Sequence, residues 1–203
     1  MLTKTKIAVL VSGGGTNLQA LIDAQNAEII KSGEISLVIS NNSNAYALER
    51  AKKAGIETAI VSKKNYKDSF EFENAIIELL EKKNIDLIIL AGFMCILSSK
   101  FTSKFSKRII NVHPSLIPSF CGQGFYGLKV HEAALSYGVK VTGATVHFVN
   151  EIPDGGEIIM QKAVDILPED TPEILQKRVM EQAEWIILPM ATEKVSFDIL
   201  NSK

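Results

Sequence analysis

Ile7-Ala8-Val9-Leu10-Val11-Ser12-Gly13-Gly14-Gly15-Thr16-Asn17 is the stretch whose reading decides the fold. Its first five residues are all apolar, without the alternation of a strand that faces water on one side. Such a run suits a strand covered on both faces, as in a parallel sheet. Three glycines follow, and then Leu18, Leu21 and Ile22 at helical spacing. A strand, a glycine turn and a helix make the opening half of a βα unit. Glycine lets backbone N–H groups approach a ligand closely. The helix N-terminus adds unpaired donors and a partial positive charge, and Thr16 and Asn17 add side-chain donors. A phosphate site at the end of the first strand is therefore expected. The loop lacks the Gly-Lys-Ser/Thr ending of a triphosphate loop. Leu18 stands where a dinucleotide fingerprint needs its third glycine, and the next strand ends in Ser40-Asn41-Asn42 instead of an acid. A small phosphate monoester fits what remains, and a glycine-rich turn without a ligand is the alternative.

Outward from this stretch the alternation continues. Strands are expected at 35–39, 58–61 and 87–90, separated by helices over 46–54 and from Phe72 to about 84. That order predicts an α/β fold with a parallel sheet. Beyond residue 108 the texture changes. A strand at 109–112 stops at Pro114, and 114–127 is a long loop with two prolines, two serines and three glycines. A helix at 128–137 is followed by strands at 139–149 and 158–164 around Pro153-Asp154-Gly155-Gly156. A final helix starts with Thr171 as N-cap and Pro172 at its first position. With 203 residues and no linker or repeat, one domain over 1–203 is expected, its front half (about 1–107) binding phosphate and its rear half (about 108–203) carrying the chemistry.

Composition narrows the function classes. Twenty-two basic against 23 acidic residues leave a net charge of −1, which argues against a nucleic-acid partner or an anionic membrane surface. Cys95 and Cys121 are too few for a disulfide framework or a metal knuckle. The longest apolar run, 87–97, falls short of the roughly 20 residues of a membrane span, and the N-terminus lacks a signal core. A cytoplasmic protein acting on small molecules, as a monomer or homodimer and with no metal, is expected.

The chemistry is carried by Ile110-Asn111-Val112-His113-Pro114-Ser115-Leu116-Ile117-Pro118. Asn111 and His113 are two apart on a strand and point to one face, and Pro114 keeps His113 extended. Asp154 offers a carboxylate on a tight turn, and a carboxylate near an imidazole raises its pKa and fixes its orientation. By contrast, His131 reads as a helix-surface residue, and His147 as a residue on the polar face of its strand or one standing just behind the site.

The string Asn-Val-His-Pro-Ser-Leu-Ile-Pro resembles the signature of the folate-dependent formyltransferases. With Ser-Gly-Gly-Gly-Thr-Asn in front, Ala91-Gly92-Phe93-Met94 in the middle and Thr145-Val146-His147-Phe148-Val149 before Asp154-Gly155-Gly156, the chain is similar to their phosphoribosylglycinamide formyltransferase branch over nearly its whole length. The resemblance implies a three-layer, Rossmann-like fold with a mostly parallel central sheet and an antiparallel addition in the C-terminal half. It implies transfer of a formyl group from 10-formyltetrahydrofolate, a cosubstrate, to the amine of glycinamide ribonucleotide in purine synthesis. Carried over residue by residue, it makes Asn111 the oxyanion donor, His113 the general acid and Asp154 the group that raises the His113 pKa. It assigns Gly15, Thr16 and Asn17 to the ribonucleotide phosphate, and Glu184, with Glu181, Gln182 and Ala183, to the glycinamide end. It assigns Met94, Cys95, Ile96 and Leu97, together with Asn111 and the turn of Asn150, Glu151, Ile152, Pro153 and Asp154, to the folate. Cys95 and Ser69 stand where relatives often carry arginine, leaving Lys63, Lys64 and Lys67 as candidates for the folate tail. A 10-formyltetrahydrofolate hydrolase is the alternative; those proteins place a regulatory domain ahead of the catalytic one, whereas here the first strand starts at Lys6 or Ile7. Methionyl-tRNA formyltransferases share the His-Pro-Ser-Leu string but usually add a C-terminal domain. A catalytically silent nucleotide-binding module is disfavoured because Asn111, His113 and Asp154 are all present.

Overall fold

The computed structural model describes residues 4–202; residues 1–3 and Lys203, part of the expected domain span, lie outside the described residues. Seven strands form one sheet in the order β3-β2-β1-β4-β5-β6-β7. Strands β1 (Thr5–Val11), β2 (Gly33–Ser40), β3 (Glu57–Ile60), β4 (Leu87–Leu90) and β5 (Ile109–His113) run parallel. Strands β6 (Val141–Phe148) and β7 (Ile158–Asp165) are added antiparallel. The mixed sheet agrees with the expected fold class.

The apolar run of β1 divides between two cores, as a period of two requires. Ile7, Val9 and Val11 enter one core with Leu18 and Leu21 of α1 (Thr16–Asn26), Ala47 and Leu48 of α2 (Tyr46–Lys53), and Ile187 and Leu188 of the last helix. Ala8 and Leu10 enter the other with Phe72, Ile76 and Leu80 of α3 (Ser69–Lys82) and Phe101 of α4 (Ser99–Lys104). All five residues from Ile7 to Val11 are 0% exposed. The short helix α4 went unread in the sequence. Ser98 caps it and is itself held by the buried Glu73 carboxylate, which accepts from the Ser98 N–H at 2.9 Å.

In the rear half, α5 (Leu128–Tyr137) packs beside α6 (Pro172–Val179). Thr171 caps α6 through its side chain and Pro172 opens it. Where one continuous helix was expected, Met180–Glu184 forms a wider π-turn before α7 (Trp185–Asn201). Pro189 lies four to five residues beyond that turn, without an N–H to offer the preceding carbonyls. Strand order reverses between β1 and β4, the place where open α/β sheets bind ligands. There the Met94 N–H donates to Ser12 Oγ at 2.9 Å, joining the ends of the two strands.

Candidate active site

The glycine loop is shaped by close approach. Gly15 caps α1 at φ 71°, and a Cβ there would stand 2.6 Å from Ala47 Cβ. Helix α2 can therefore rest directly on the loop. The Ala47 N–H donates to the Gly13 carbonyl at 3.0 Å. Arg50 donates from Nε to the Gly14 carbonyl at 2.9 Å and from Nη1 to Gln19 Oε1 at 3.0 Å. Helix α1 has no side-chain cap, so its first-turn N–H groups suit an external acceptor.

Front and rear halves meet at this loop. Asn17 Nδ2 donates to Glu184 Oε2 at 2.7 Å, and Thr16 Oγ1 lies 3.9 Å from Met180 Sδ. The π-turn sets Glu184 inward, and such turns recur at functional sites. Burial pushes the Glu184 carboxyl up to about 7, with the Asn17 hydrogen bond opposing. Its expected companions do not share this position. Glu181 is exposed and pairs with Lys177 at 3.7 Å, Gln182 is exposed, and Ala183 is buried in the core.

The second cluster is assembled from β5, β6 and the turn after β6. His113 is almost fully buried at the end of β5. Its Nε2 lies 2.9 Å from the Phe120 carbonyl, and its Nδ1 lies 3.4 Å from Asp154 Oδ2. Asp154 sits at φ 55° on a turn so tight that a Cβ on Gly156 would stand 1.7 Å from the Phe148 carbonyl oxygen. Asp154 Oδ2 also accepts from the Gly122 N–H at 2.8 Å, which ties the long loop to the same carboxylate. That loop is anchored elsewhere too. Thr145 Oγ1 donates to the Ser115 carbonyl at 2.7 Å, Gln161 Nε2 to the Ile117 carbonyl at 3.0 Å, and the Phe120 ring meets Tyr137 edge-on.

The electrostatics set two effects against each other at His113. The upward pull of Asp154 on His113 is present, but burial outweighs it, and His113 lies below its ordinary value of 6.5. For Asp154 itself burial opposes ionisation. The nearby imidazoles of His147 and His113 and the hydrogen bond from the Gly122 N–H together hold its carboxyl below the usual range.

Two further histidines lie close to this cluster. His147 is buried, pairs with Asn111 across the β5–β6 register, and lies 3.2 Å from Asn111 Nδ2 and 3.6 Å from Asp154 Oδ1. The signal that could have found it is the register itself, which sets residue 147 opposite residue 111. His131 is not on a helix surface. It is 0% exposed, neither ring nitrogen has a hydrogen-bond partner among the described residues, and burial, with His113 nearby, lowers it to about 4.

The segments assigned to folate have a mixed character. Met94, Ile96 and Ile152 expose apolar side chains, while Leu97 is buried in the second core. Cys95 Sγ accepts from Asn41 Nδ2 at 3.1 Å. Asn150 closes its turn by accepting the Ile152 N–H at 3.0 Å; Glu151 and Pro153 are exposed. Exposed apolar side chains beside hydrogen-bonding backbone suit a flat heterocycle.

Comparison with known proteins agrees with this geometry. The family model described as formyl transferase matches residues 5–192. The phosphoribosylglycinamide formyltransferase of Haemophilus influenzae is 46% identical over 185 residues, covering 91% of this chain and 84% of that one. The human trifunctional purine biosynthetic protein adenosine-3 is 47% identical over 193 residues, or 95% of this chain, which spans only 18% of that protein's length. The crystal structure of glycinamide ribonucleotide transformylase 1 from Symbiobacterium toebii superposes with a TM-score of 0.90 at 39% identity, covering 96% of this chain and 89% of that one. With a match that runs from the first strand into the last helix, this chain belongs to the formyl transferase family.

Proposed function

We propose that the chain transfers a formyl group from 10-formyltetrahydrofolate to the amine of glycinamide ribonucleotide. The observation that carries this reading is the joining of two sites along one sheet: a glycine loop with free helix donors against Glu184, and Asn111, His113 and Asp154 about the end of β5. The formyl donor is a substrate here, and the exposed Met94, Ile96 and Ile152 fit its flat ring. Gly15, Thr16 and Asn17 would receive the ribonucleotide phosphate.

Formyl transfer moves an acyl group between two amines. The free amine attacks the formyl carbon and the carbonyl oxygen becomes an oxyanion; the attacking nitrogen then sheds a proton, the folate nitrogen takes one up, and its bond to the formyl carbon breaks as the carbonyl re-forms. Asn111 is suited to donate an amide N–H to the oxyanion, a contribution worth about 10²–10³ in kcat for a comparable donor. His113, protonated, is suited to supply the proton to the leaving nitrogen. Both of its ring nitrogens face acceptors, the Phe120 carbonyl and the Asp154 carboxylate, and only an imidazolium satisfies both. Burial disfavours that charge and Asp154 favours it, so the proton is held weakly enough to be given up.

The test is to follow 10-formyltetrahydrofolate consumption spectrophotometrically with and without glycinamide ribonucleotide. Turnover that requires the ribonucleotide supports the transferase. Equal turnover without it makes water the acceptor and replaces this reading with the hydrolase.

A further inference from the structure

The reaction scheme above leaves His147 without a task, although its ring is 1% exposed and faces the amide of Asn111. Its Nδ1 lies 2.8 Å from the Phe148 carbonyl oxygen. A carbonyl only accepts, so Nδ1 carries a proton in either charge state of the ring. The state is decided at Nε2, which lies 3.2 Å from Asn111 Nδ2 and 3.6 Å from Asp154 Oδ1.

A carboxamide has one donor end and one acceptor end. When Nε2 is bare, the ring accepts and Asn111 meets it with Nδ2, as in the structure. One N–H of Nδ2 is then given to the ring, and the second is left for the reacting carbonyl. Turned about, the amide would offer Oδ1 to the substrate, which would repel an oxyanion. The two ends of the amide are nearly equal in size, so packing does not choose between them and the Nε2 acceptor does. Asp154 spans both rings, Oδ2 toward His113 and Oδ1 toward His147.

We propose that His147 is a positioning residue: held through Nδ1 by the Phe148 carbonyl, it presents Nε2 to Asn111 and so keeps the second amide N–H of Asn111 toward the formyl oxygen. The proposal rests on the formyl-transfer reading above. His147→Phe removes both nitrogens and keeps a ring in the buried site. In it, kcat should fall at least tenfold, up to the ~10²–10³ of losing the donor altogether, with KM for both substrates within about threefold. Placed in an Asn111→Ala background, the same change should cost no further kcat, because the group it orients is gone. A His147→Phe enzyme within about threefold of wild-type kcat overturns the proposal. So does a loss carried in KM, or an equal loss in both backgrounds. His147→Gln, whose Oε1 can accept from Asn111 Nδ2, should retain more kcat than His147→Phe, and it carries the same two-background comparison if the Phe variant does not fold. A wild-type protein that fails to formylate the ribonucleotide removes the functional reading and this proposal together, and is told apart because no variant is needed to see it.

Discussion

Two carboxyl groups stand at the two ends of the candidate site, and their surroundings drive them in opposite directions. Glu184 is buried, and its carboxylate accepts from a neutral amide, Asn17. With no cation among the described residues to offset burial, it is pushed up to about 7. Asp154 is also penalised by burial, yet it faces two imidazoles and a backbone N–H and stays below the ordinary range. What decides is the charge and donors around each carboxyl rather than the extent of burial. The consequences suit the two halves. A neutral Glu184 does not repel a phosphate arriving at Gly15, Thr16 and Asn17, and it can donate to a ligand hydroxyl. An ionised Asp154 can stabilise an imidazolium when the reaction needs one.

The largest effect should come from breaking the rear half of this comparison. His113→Ala removes the proton donor while leaving the glycine loop intact. Steady-state kinetics should show kcat reduced by about 10²–10⁴, with the ribonucleotide KM within about threefold. A variant that keeps near-wild-type kcat would show that His113 is not the proton donor.

Next in size is the proton on Glu184. Its folded value of about 7 lies above its ordinary 4.5, so the folded state keeps a proton that the unfolded chain gives up. That stabilisation is complete below about pH 4.5 and is lost as pH rises through about 7, a change on the order of 3 kcal/mol. Glu184→Gln is neutral at every pH and can still meet Asn17. Urea unfolding at pH 5 and pH 8 should therefore show a larger drop in stability for the wild type than for the variant. Parallel behaviour would mean that Glu184 is ionised in the fold.

These two carboxyls also mark where the sequence was readable. The glycine loop, the strand–helix alternation and the Asn111–His113 pair lie on local pattern, and the mostly parallel sheet they imply matches the structure in kind. Glu184 was named from its resemblance, yet Glu181, Gln182 and Ala183 came with it, because the π-turn that separates their directions leaves no mark in the residue types. His147 was underweighted for a different reason. Along β6 its polar face is plain, but its importance comes from lying opposite Asn111, and register between strands over thirty residues apart is set by the hairpin and the packing. His131 was expected on the helix surface, yet it shares the buried side of α5 with Val130 and Ala134, and its ring is turned inward.

Gly15→Ala tests the steric basis of the front half and should have a smaller effect. A left-handed φ of 71° and a Cβ at 2.6 Å from Ala47 both oppose the substitution, and such strain costs about 1–3 kcal/mol. The urea midpoint should fall accordingly. The ribonucleotide KM should rise, since α2 must move off the loop, while kcat at saturation changes far less. A KM that does not move would separate the loop from substrate binding.

The smallest expected effect gives the comparison its sharpest edge. Glu181 lies three residues before Glu184, and by chemistry alone the two are interchangeable candidates for the same ligand. The π-turn sends one inward and leaves the other on the surface, where it faces Lys177 at 3.7 Å. An exposed pair at that distance is screened by water and contributes little, within about 0.5 kcal/mol. Glu181→Ala should therefore leave the urea midpoint, kcat and ribonucleotide KM essentially at wild-type values, whereas Glu184→Ala should raise KM strongly. If Glu181→Ala also raised KM, the segment would have to turn on binding. The inward carboxyl would then be chosen by the ligand rather than by the fold, and the buried proton on Glu184 would belong only to the empty enzyme.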